Sequence, residues 1–210
     1  MTTPAQTERR ALADLLVEVG PDAPTLCEGW TARDLAAHIV VRDRRPDSAP
    51  GVLVPALGAW TERVRTHARD ATDYRALVEQ VRGGPPRWSP VRVPAVDDLV
   101  NTVEFLVHHE DVRRAQPEWT RRELGRDVED RLWVRLRMAR ALMRRSPVGI
   151  VLEREDGRRI TAKSSERRVT VSGPPSELVM FAYGRQGHAV VGLAGDPADV
   201  QVVREASFGI

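Results

Sequence analysis

The chain has 210 residues, of which 41% are hydrophobic and 30% charged, a composition typical of a globular protein and not of a disordered one. Lys and Arg number 32 against 30 Asp and Glu, which leaves a net charge of +2. Basic and acidic residues are interspersed, which argues against a nucleic-acid-binding surface. No uncharged apolar run approaches the ~20 residues of a membrane span, and the N-terminus lacks a signal-peptide pattern. We therefore expect a cytoplasmic protein that binds neither nucleic acid nor membranes.

Cys27 is the only cysteine in the chain. A single thiol cannot form an intramolecular disulfide, which fits a reducing compartment. Cys27 could be a reactive thiol, but an isolated cysteine more often behaves as a small packed residue. We favour the packed residue here.

The first two-thirds of the sequence has the apolar spacing of helices. The second helix begins at a capping box, in which the Thr31 hydroxyl accepts from the Asp34 amide and the Asp34 carboxylate reaches back to residue 31. The predicted helices span residues 5–19, 32–44, 52–69, 74–82, 96–115 and 128–145.

After Ser146 the apolar period changes from that of a helix to the two-residue period of a strand. VGIVLERE and RRITAKS predict a hairpin around Asp156-Gly157, and RRVTVSG and HAVVGLAGD predict two more strands. A helix over GPPSELVMFAYGR and a last helix capped by Asp196 complete the pattern. The sequence thus predicts a mainly α fold with a smaller α+β part: a helical domain over residues 1–146 and a βββαβα appendage over residues 147–210.

The segment NTVEFLVHHEDVRRA places four polar residues on one stripe of a helix, because positions three and four apart are neighbours: Asn101, Glu104, His108 and Asp111. The other positions are mostly apolar, which indicates a helix buried between other helices. A buried carboxylate without a partner is costly. The stripe therefore needs an arginine, another cation or a metal ion.

Glu104 and His108 are four residues apart, so an oxygen and a nitrogen can converge on one ion at ~2.0–2.2 Å. His38, in the apolar segment AAHIVV of the second helix, is the candidate third ligand. Three protein ligands with one open position are typical of a catalytic zinc site, and the same donors also suit nickel. A plain hydrogen bond between helices explains the same spacing.

Two neighbours on the same helix have alternative interpretations. His109 points about 100° away from His108 and is an alternative ligand in its place. Asp111 follows His108 by one turn and could support the site or a substrate water. An ion pair of Asp111 with Arg42 or Arg114 fits equally well.

Arg42 lies one turn after His38, near the expected open position. Because Arg holds carboxylates through two hydrogen bonds, Arg42 or Arg45 could anchor an acidic substrate or thiol cofactor. Solvated arginines at a helix C-terminus are the alternative. His67 and His188 lack apolar surroundings and are predicted to lie on the surface.

The segments CEGWTARDLAAHIVVRDRRPD and DDLVNTVEFLVHHEDVRRA resemble the DinB-like superfamily, and within it the mycothiol-dependent maleylpyruvate isomerases and their actinobacterial relatives. Members of that group carry one metal-binding histidine in GWT-x-x-DL-x-x-H and two further ligands in a later E-x-x-x-H. Residues 29–31, 34–35 and 38 match the first motif, and Glu104 and His108 match the second. The resemblance implies an up-and-down helical bundle and extends over the C-terminal appendage.

The resemblance implies a divalent-metal-dependent thiol S-transferase or isomerase of the mycothiol type, acting on a small electrophile. The thiol, or water, would take the open position on the metal, so the protein needs no nucleophile of its own. A non-enzymatic metal-binding or sensing protein is the main alternative, and a metal-dependent hydrolase is a weaker one. The expected partners are a small thiol and a small electrophile, for a monomer or homodimer.

Overall fold

The structure is a computed structural model that describes residues 2–45, 58–89 and 92–208. It forms two compact units, Met1–Thr120 and Arg121–Ile210. The described part of the chain is mostly helical, with one four-stranded sheet in the second unit. None of the helices in these ranges is both long and apolar enough to cross a membrane.

The helices of the first unit agree closely with the sequence prediction. The predicted start of the third helix at Val52 lies outside the described residues. The starts of three of these helices carry local polar contacts, at Thr3, Thr31 and Asp73. Asp73, for example, accepts hydrogen bonds from the amides of Arg75 and Ala76, which satisfies donors that a helix start leaves unpaired. The helices are α1 (Pro4–Val19), α2 (Ala32–Arg44), α3 (Gly58–Ala71), α4 (Tyr74–Gly83) and α5 (Pro94–Arg113).

The start of α2 is fixed by Asp34. Its Oδ2 accepts from the Thr31 amide at 3.1 Å and from the Thr31 hydroxyl at 2.8 Å. The same carboxylate binds Arg65 of α3 at 2.5 Å. Asp34 therefore caps one helix and joins it to the next.

The core of the first unit is built from the apolar sides of α1, α2, α4 and α5. These side chains are almost completely removed from solvent, and burying each contributes roughly 1.5–3 kcal/mol. They include Leu12, Leu16, Leu35, Ile39, Leu77, Val81, Phe105 and Val112.

The loop between α1 and α2 folds back on itself and docks on α5. Pro24 and Thr31 form an isolated antiparallel bridge, and Gly29 has a φ of +74°, which favours glycine. The amide of Leu26 then donates to the carbonyl oxygen of Asp111 at 3.0 Å. This contact carries the loop, and Cys27 within it, to the C-terminal end of α5.

The second unit contains α6 (Arg126–Met143), four strands, α7 (Pro175–Ala182) and α8 (Pro197–Glu205). The strands are β1 (Gly149–Glu153), β2 (Arg159–Lys163), β3 (Arg168–Ser172) and β4 (Gly192–Ala194), in the spatial order β2-β1-β3-β4. The pairs β1/β2 and β3/β4 are antiparallel, and β1/β3 is parallel. A short 3₁₀ helix at Gln186–His188 precedes β4, so this strand is shorter than the predicted one.

The mainly helical fold with a small sheet is confirmed. The up-and-down arrangement of the bundle and the detailed layout of the appendage remain predictions. Helix α6, which the sequence interpretation assigned to the helical domain, falls in the second compact unit. The domain boundary after residue 146 also remains a prediction.

Candidate metal centre

Three side chains with metal-binding atoms converge between α2 and α5. Glu104 Oε1 lies 3.5 Å from His38 Nε2 and 3.2 Å from His108 Nε2. The ring centroids of the two histidines are 5.2 Å apart. One donor atom from each of the three residues lies within 4.8 Å of the other two. The structure thus brings together the three residues that the sequence proposed as ligands.

The spacing of these donors can be compared with the geometry of an ion. Bonds of ~2.0–2.2 Å in tetrahedral directions place neighbouring donor atoms about 3.3–3.6 Å apart. The separations of Glu104 Oε1 from the two imidazole nitrogens are close to this range. Two imidazole nitrogens and one carboxylate oxygen are also donors that zinc accepts. Two of the three donor separations therefore match those around a divalent ion, and the third lies within 4.8 Å.

His38 is held on its helix by apolar neighbours and by an aromatic contact. Ala37 and Ile39 are buried, while the His38 side chain keeps 21% exposure. The ring of Trp30 lies 5.2 Å from the His38 ring, centroid to centroid. The guanidinium group of Arg65 lies over the same Trp30 ring, with its Cζ 4.6 Å from the ring centroid. His38 is therefore partly open to solvent but fixed in direction.

The pKa values of His38 and Glu104 shift in response to burial and to each other. Burial lowers the pKa of His38, and the charges of His108 and Arg42 lower it further, against the effect of Glu104. Burial raises the pKa of Glu104, but hydrogen bonds from His108 and His38 bring it well below its usual value. These directions favour the charged carboxylate of Glu104 and the neutral imidazole of His38, the forms in which each can bind a metal.

His108 differs from His38 in its surroundings. Burial lowers its pKa, but hydrogen bonds with Asp111, Cys27 and Glu104 raise it well above the usual value. The ring thus lies between acceptors on both sides: Nε2 faces Glu104, and Nδ1 lies 3.1 Å from Asp111 Oδ2.

Arg42 is joined to the carboxylate of the donor set. Its Nε lies 3.2 Å from Glu104 Oε1, and its Nη1 donates to Asn101 Oδ1. Asn101 in turn donates to Asp97 Oδ1 at 2.7 Å. The polar stripe predicted on this helix is thus a continuous chain of hydrogen bonds, and Asn101 is completely buried.

Cys27 lies closer to the site than its position in the sequence indicated. Its Sγ is 3.2 Å from Asp111 Oδ2. Cys27, His108 and Asp111 form a second group of donor atoms that lie within 4.8 Å of one another. Sequence spacing alone carries no signal for this approach, because it depends on how the loop docks.

The remaining histidines lie elsewhere. His109 Nδ1 is 2.9 Å from Glu8 Oε2 of α1, and both side chains are buried. His109 thus faces a different carboxylate from His108. His67 and His188 are exposed.

The comparison with solved structures identifies the fold. The crystal structure of a mycothiol-dependent maleylpyruvate isomerase matches with a TM-score of 0.60 and 20% sequence identity, over 92% of this chain and 96% of that chain. The chain has the fold of that isomerase. A variant of the isomerase with a histidine replaced by alanine matches over the same shares of the two chains, at 19% identity and a TM-score of 0.57.

The resemblance to the maleylpyruvate isomerase group is therefore confirmed in the fold. No family model matches the sequence, and no curated protein matches it significantly.

Proposed function

We propose that this chain is a metal-dependent thiol S-transferase or isomerase, which joins a small thiol of the mycothiol type to a small electrophile or uses the thiol to isomerise it. The observation that carries the proposal is the convergence of His38, Glu104 and His108 at separations suited to one ion. The shared fold with a mycothiol-dependent maleylpyruvate isomerase supports the thiol. We expect the protein to act in the cytoplasm, where small thiols stay reduced.

The ion would activate the thiol, and the chain would hold the ion. A bound Zn²⁺ would lower the pKa of a thiol and so supply a nucleophile at neutral pH. His38, Glu104 and His108 would hold the ion, with Ni²⁺ as the alternative. Because the chain would supply three ligands, the ion would keep a position open for the thiol.

An isomerisation at this site conserves atoms and electrons. The sulfur adds to one carbon of an electron-poor double bond, and the electron pair moves to the conjugated carbonyl group. After rotation about the resulting single bond, the pair returns and expels the sulfur. The thiol is regenerated, and no oxidant or reductant is needed.

Arg42 is the proposed anchor for an acidic electrophile. Its side chain is 29% exposed and lies beside Glu104. A guanidinium group has five N–H donors, and the contacts to Glu104 and Asn101 use two of its nitrogens. The remaining nitrogen can donate to a substrate carboxylate.

The first experiment measures metal content. Purified protein should carry about one divalent ion per chain, as expected for a single three-ligand site. The variants His38→Ala and His108→Ala should lose the ion, whereas the exposed control His67→Ala should keep it. Full retention of the ion by the double variant His38→Ala/His108→Ala would exclude this site.

The second experiment measures thiol access by X-ray absorption at the metal edge. Added mycothiol should produce a new metal–sulfur distance of ~2.3 Å. Because Cys27 lies near His108, the measurement should be repeated in Cys27→Ser, where any sulfur contact must come from the added thiol. A sulfur contact that appears only with Cys27 present would contradict the proposal.

The second candidate function, a metal-binding or sensing protein without turnover, needs a fourth ligand that closes the shell, as in structural zinc sites. The Cys27 thiol is the nearest sulfur, but it belongs to a group of donor atoms on the Nδ1 side of His108 and would have to move to reach the ion. The same absorption measurement on wild type without added thiol, compared with Cys27→Ser, separates the two functions.

A further inference from the structure

Asp111 is a completely buried carboxylate with two polar neighbours at the site. Its Oδ2 lies 3.1 Å from His108 Nδ1 and 3.2 Å from Cys27 Sγ. Its side chain has no exposed surface. Burying a carboxylate so completely is unfavourable unless hydrogen bonds compensate. The contacts of Asp111 are therefore part of what keeps it in place.

The contact to His108 has a direct effect on which ring nitrogen can bind an ion. A neutral imidazole carries its proton on one nitrogen and a lone pair on the other. When Asp111 accepts the proton of Nδ1, the lone pair is on Nε2, the nitrogen that faces Glu104 at 3.2 Å. Carboxylates in this position fix the orientation of metal-binding histidines and make them better ligands.

The docked loop holds Asp111 from the other side. The amide of Leu26 binds the backbone carbonyl of Asp111 at 3.0 Å, and the adjacent Cys27 lies against the carboxylate. A thiol is a weak donor, so the loop contributes mainly by position. Both the backbone and the side chain of Asp111 are thus tied to the segment that precedes α2.

We propose that Asp111 is a positioning residue that holds His108 with Nε2 directed at the ion, and that Cys27 orients the Asp111 carboxylate. The inference rests on the metal site proposed above and adds the groups that support it. It also accounts for the only cysteine of the chain without requiring that thiol to react or to bind the metal.

Helix α5 offers a matched control for this idea. His109, the next residue, forms a buried pair of the same type, in which Nδ1 lies 2.9 Å from Glu8 Oε2. Each pair joins a histidine of α5 to a buried carboxylate, Asp111 of the same helix or Glu8 of α1. Only the pair of His108 joins the donor set. Breaking either pair should lower the stability of the protein. Breaking only the pair of His108 and Asp111 should also lower its metal affinity.

The test compares Asp111→Asn with Glu8→Gln, each replacing a carboxylate by an amide of similar shape. Circular dichroism first checks that both variants fold, and competition with a chelator then gives the Zn²⁺ affinity. Asp111→Asn should bind Zn²⁺ about 10–100-fold more weakly, while Glu8→Gln should bind as the wild type does. Cys27→Ala should shift the affinity in the same direction by less. Equal affinities for Asp111→Asn and wild type, or equal losses in Asp111→Asn and Glu8→Gln, would overturn the positioning role.

A second readout does not depend on affinity. With Co²⁺ in the site, visible absorption reports ligand geometry, and Asp111→Asn should change that spectrum whereas Glu8→Gln should not. NMR of the metal-free protein should show a downfield, slowly exchanging proton on His108 Nδ1, and it should move upfield in Asp111→Asn because an amide is a weaker acceptor than a carboxylate.

The two proposals can fail separately. If wild type binds no divalent ion but the His108 proton behaves as described, the metal function is wrong and the contact of Asp111 is real. If the ion binds and neither the proton nor the Co²⁺ spectrum responds to Asp111→Asn, the positioning role is wrong. If Asp111→Asn does not fold, the Zn²⁺ affinity and the Co²⁺ spectrum are measured on Cys27→Ala instead. If both are unchanged in that variant, the proposal is wrong.

Discussion

Arg42 Nε lies 3.2 Å from Glu104 Oε1, the same oxygen that faces the Nε2 atoms of His38 and His108. A cationic side chain and two imidazoles thus share one carboxylate oxygen. An ion bound to the three proposed ligands would place a second positive charge beside Arg42. That combination suits an anionic substrate, since both charges attract it.

The first prediction concerns Arg42. Arg42→Gln should retain about one metal ion per chain, because Arg42 is not a ligand, but should bind an acidic electrophile about 10–100-fold more weakly, as the loss of a charge-assisted hydrogen bond implies. Calorimetry with a small dicarboxylate measures the change. Arg45→Gln, at the exposed end of the same helix, is the control. A loss confined to Arg45→Gln would move the anchor to that residue.

The second prediction concerns Glu104. Glu104→Gln should leave the helical content unchanged and weaken metal binding by more than about tenfold, because removal of even a supporting group costs that much. Chelator competition measures the affinity. Glu110→Gln, which alters a carboxylate paired with Arg113 and Arg114 on the same helix, should keep the wild-type affinity. A metal-loaded Glu104→Gln protein with unchanged affinity would remove Glu104 from the ligand set.

The third prediction concerns the stability provided by Asp34. Asp34→Asn removes the buried carboxylate partner of Arg65, which keeps only its pair with the more exposed Glu62, and should lower the free energy of unfolding at neutral pH by about 2 kcal/mol. Urea denaturation measures this difference. Asp70→Asn, which alters an exposed pair with Arg69, should have little effect.

The same pair has a defined pH dependence. Burial raises the pKa of Asp34, but hydrogen bonds from Arg65, Thr31 and Arg69 lower it to about 2, from 3.8 in the unfolded chain. A lowered pKa means that the stabilisation is present above pH 3.8 and is lost as the pH falls towards 2. The difference between wild type and Asp34→Asn should therefore shrink across this interval. A constant difference would contradict the assignment.

The fourth prediction concerns Tyr74, whose hydroxyl donates to the Leu16 carbonyl at 2.6 Å. Tyr74→Phe should lower the free energy of unfolding by about 1 kcal/mol. Burial raises the pKa of Tyr74 to about 12, from 10.0 in the unfolded chain. The neutral phenol thus contributes fully below pH 10 and progressively less as the pH rises towards 12.

Ultraviolet titration checks this prediction. The chain has two tyrosines, and the phenol that ionises at the higher pH should disappear in Tyr74→Phe. If it persists, it belongs to Tyr183, and the pH dependence assigned to Tyr74 is wrong.

Helix positions and the candidate ligands were accessible from the sequence because they follow local periodicity. Glu104 and His108 must share a helix face when they are four residues apart, and the capping residues Thr31 and Asp34 mark where α2 begins. The side-by-side approach of His38 and His108, at 5.2 Å between ring centroids, was expected from the apolar surroundings of both. The resemblance to known motifs indicated that His38 and His108 belong to one site.

The support around the site was not accessible in this way. Cys27 precedes His38 by 11 positions, and spacing along the chain put it out of reach. It approaches Asp111 because the backbone turns at Gly29 and the Leu26 amide donates to the carbonyl oxygen of Asp111 on α5. These are tertiary contacts without a periodic signal. The same is true of the hydrogen bond from Arg42 to Asn101.

His108 and His109 are adjacent on helix α5 but face different carboxylates. The function of this helix should therefore depend more on its number of residues than on the identity of its surface residues. An insertion of one residue between Glu104 and His108 would rotate the rest of the helix by about 100°. A deletion there would instead place His109 four positions after Glu104 and take it away from Glu8. Surface positions of this helix should accept many substitutions. Insertions and deletions within residues 104–108 should be excluded from functional descendants of this chain.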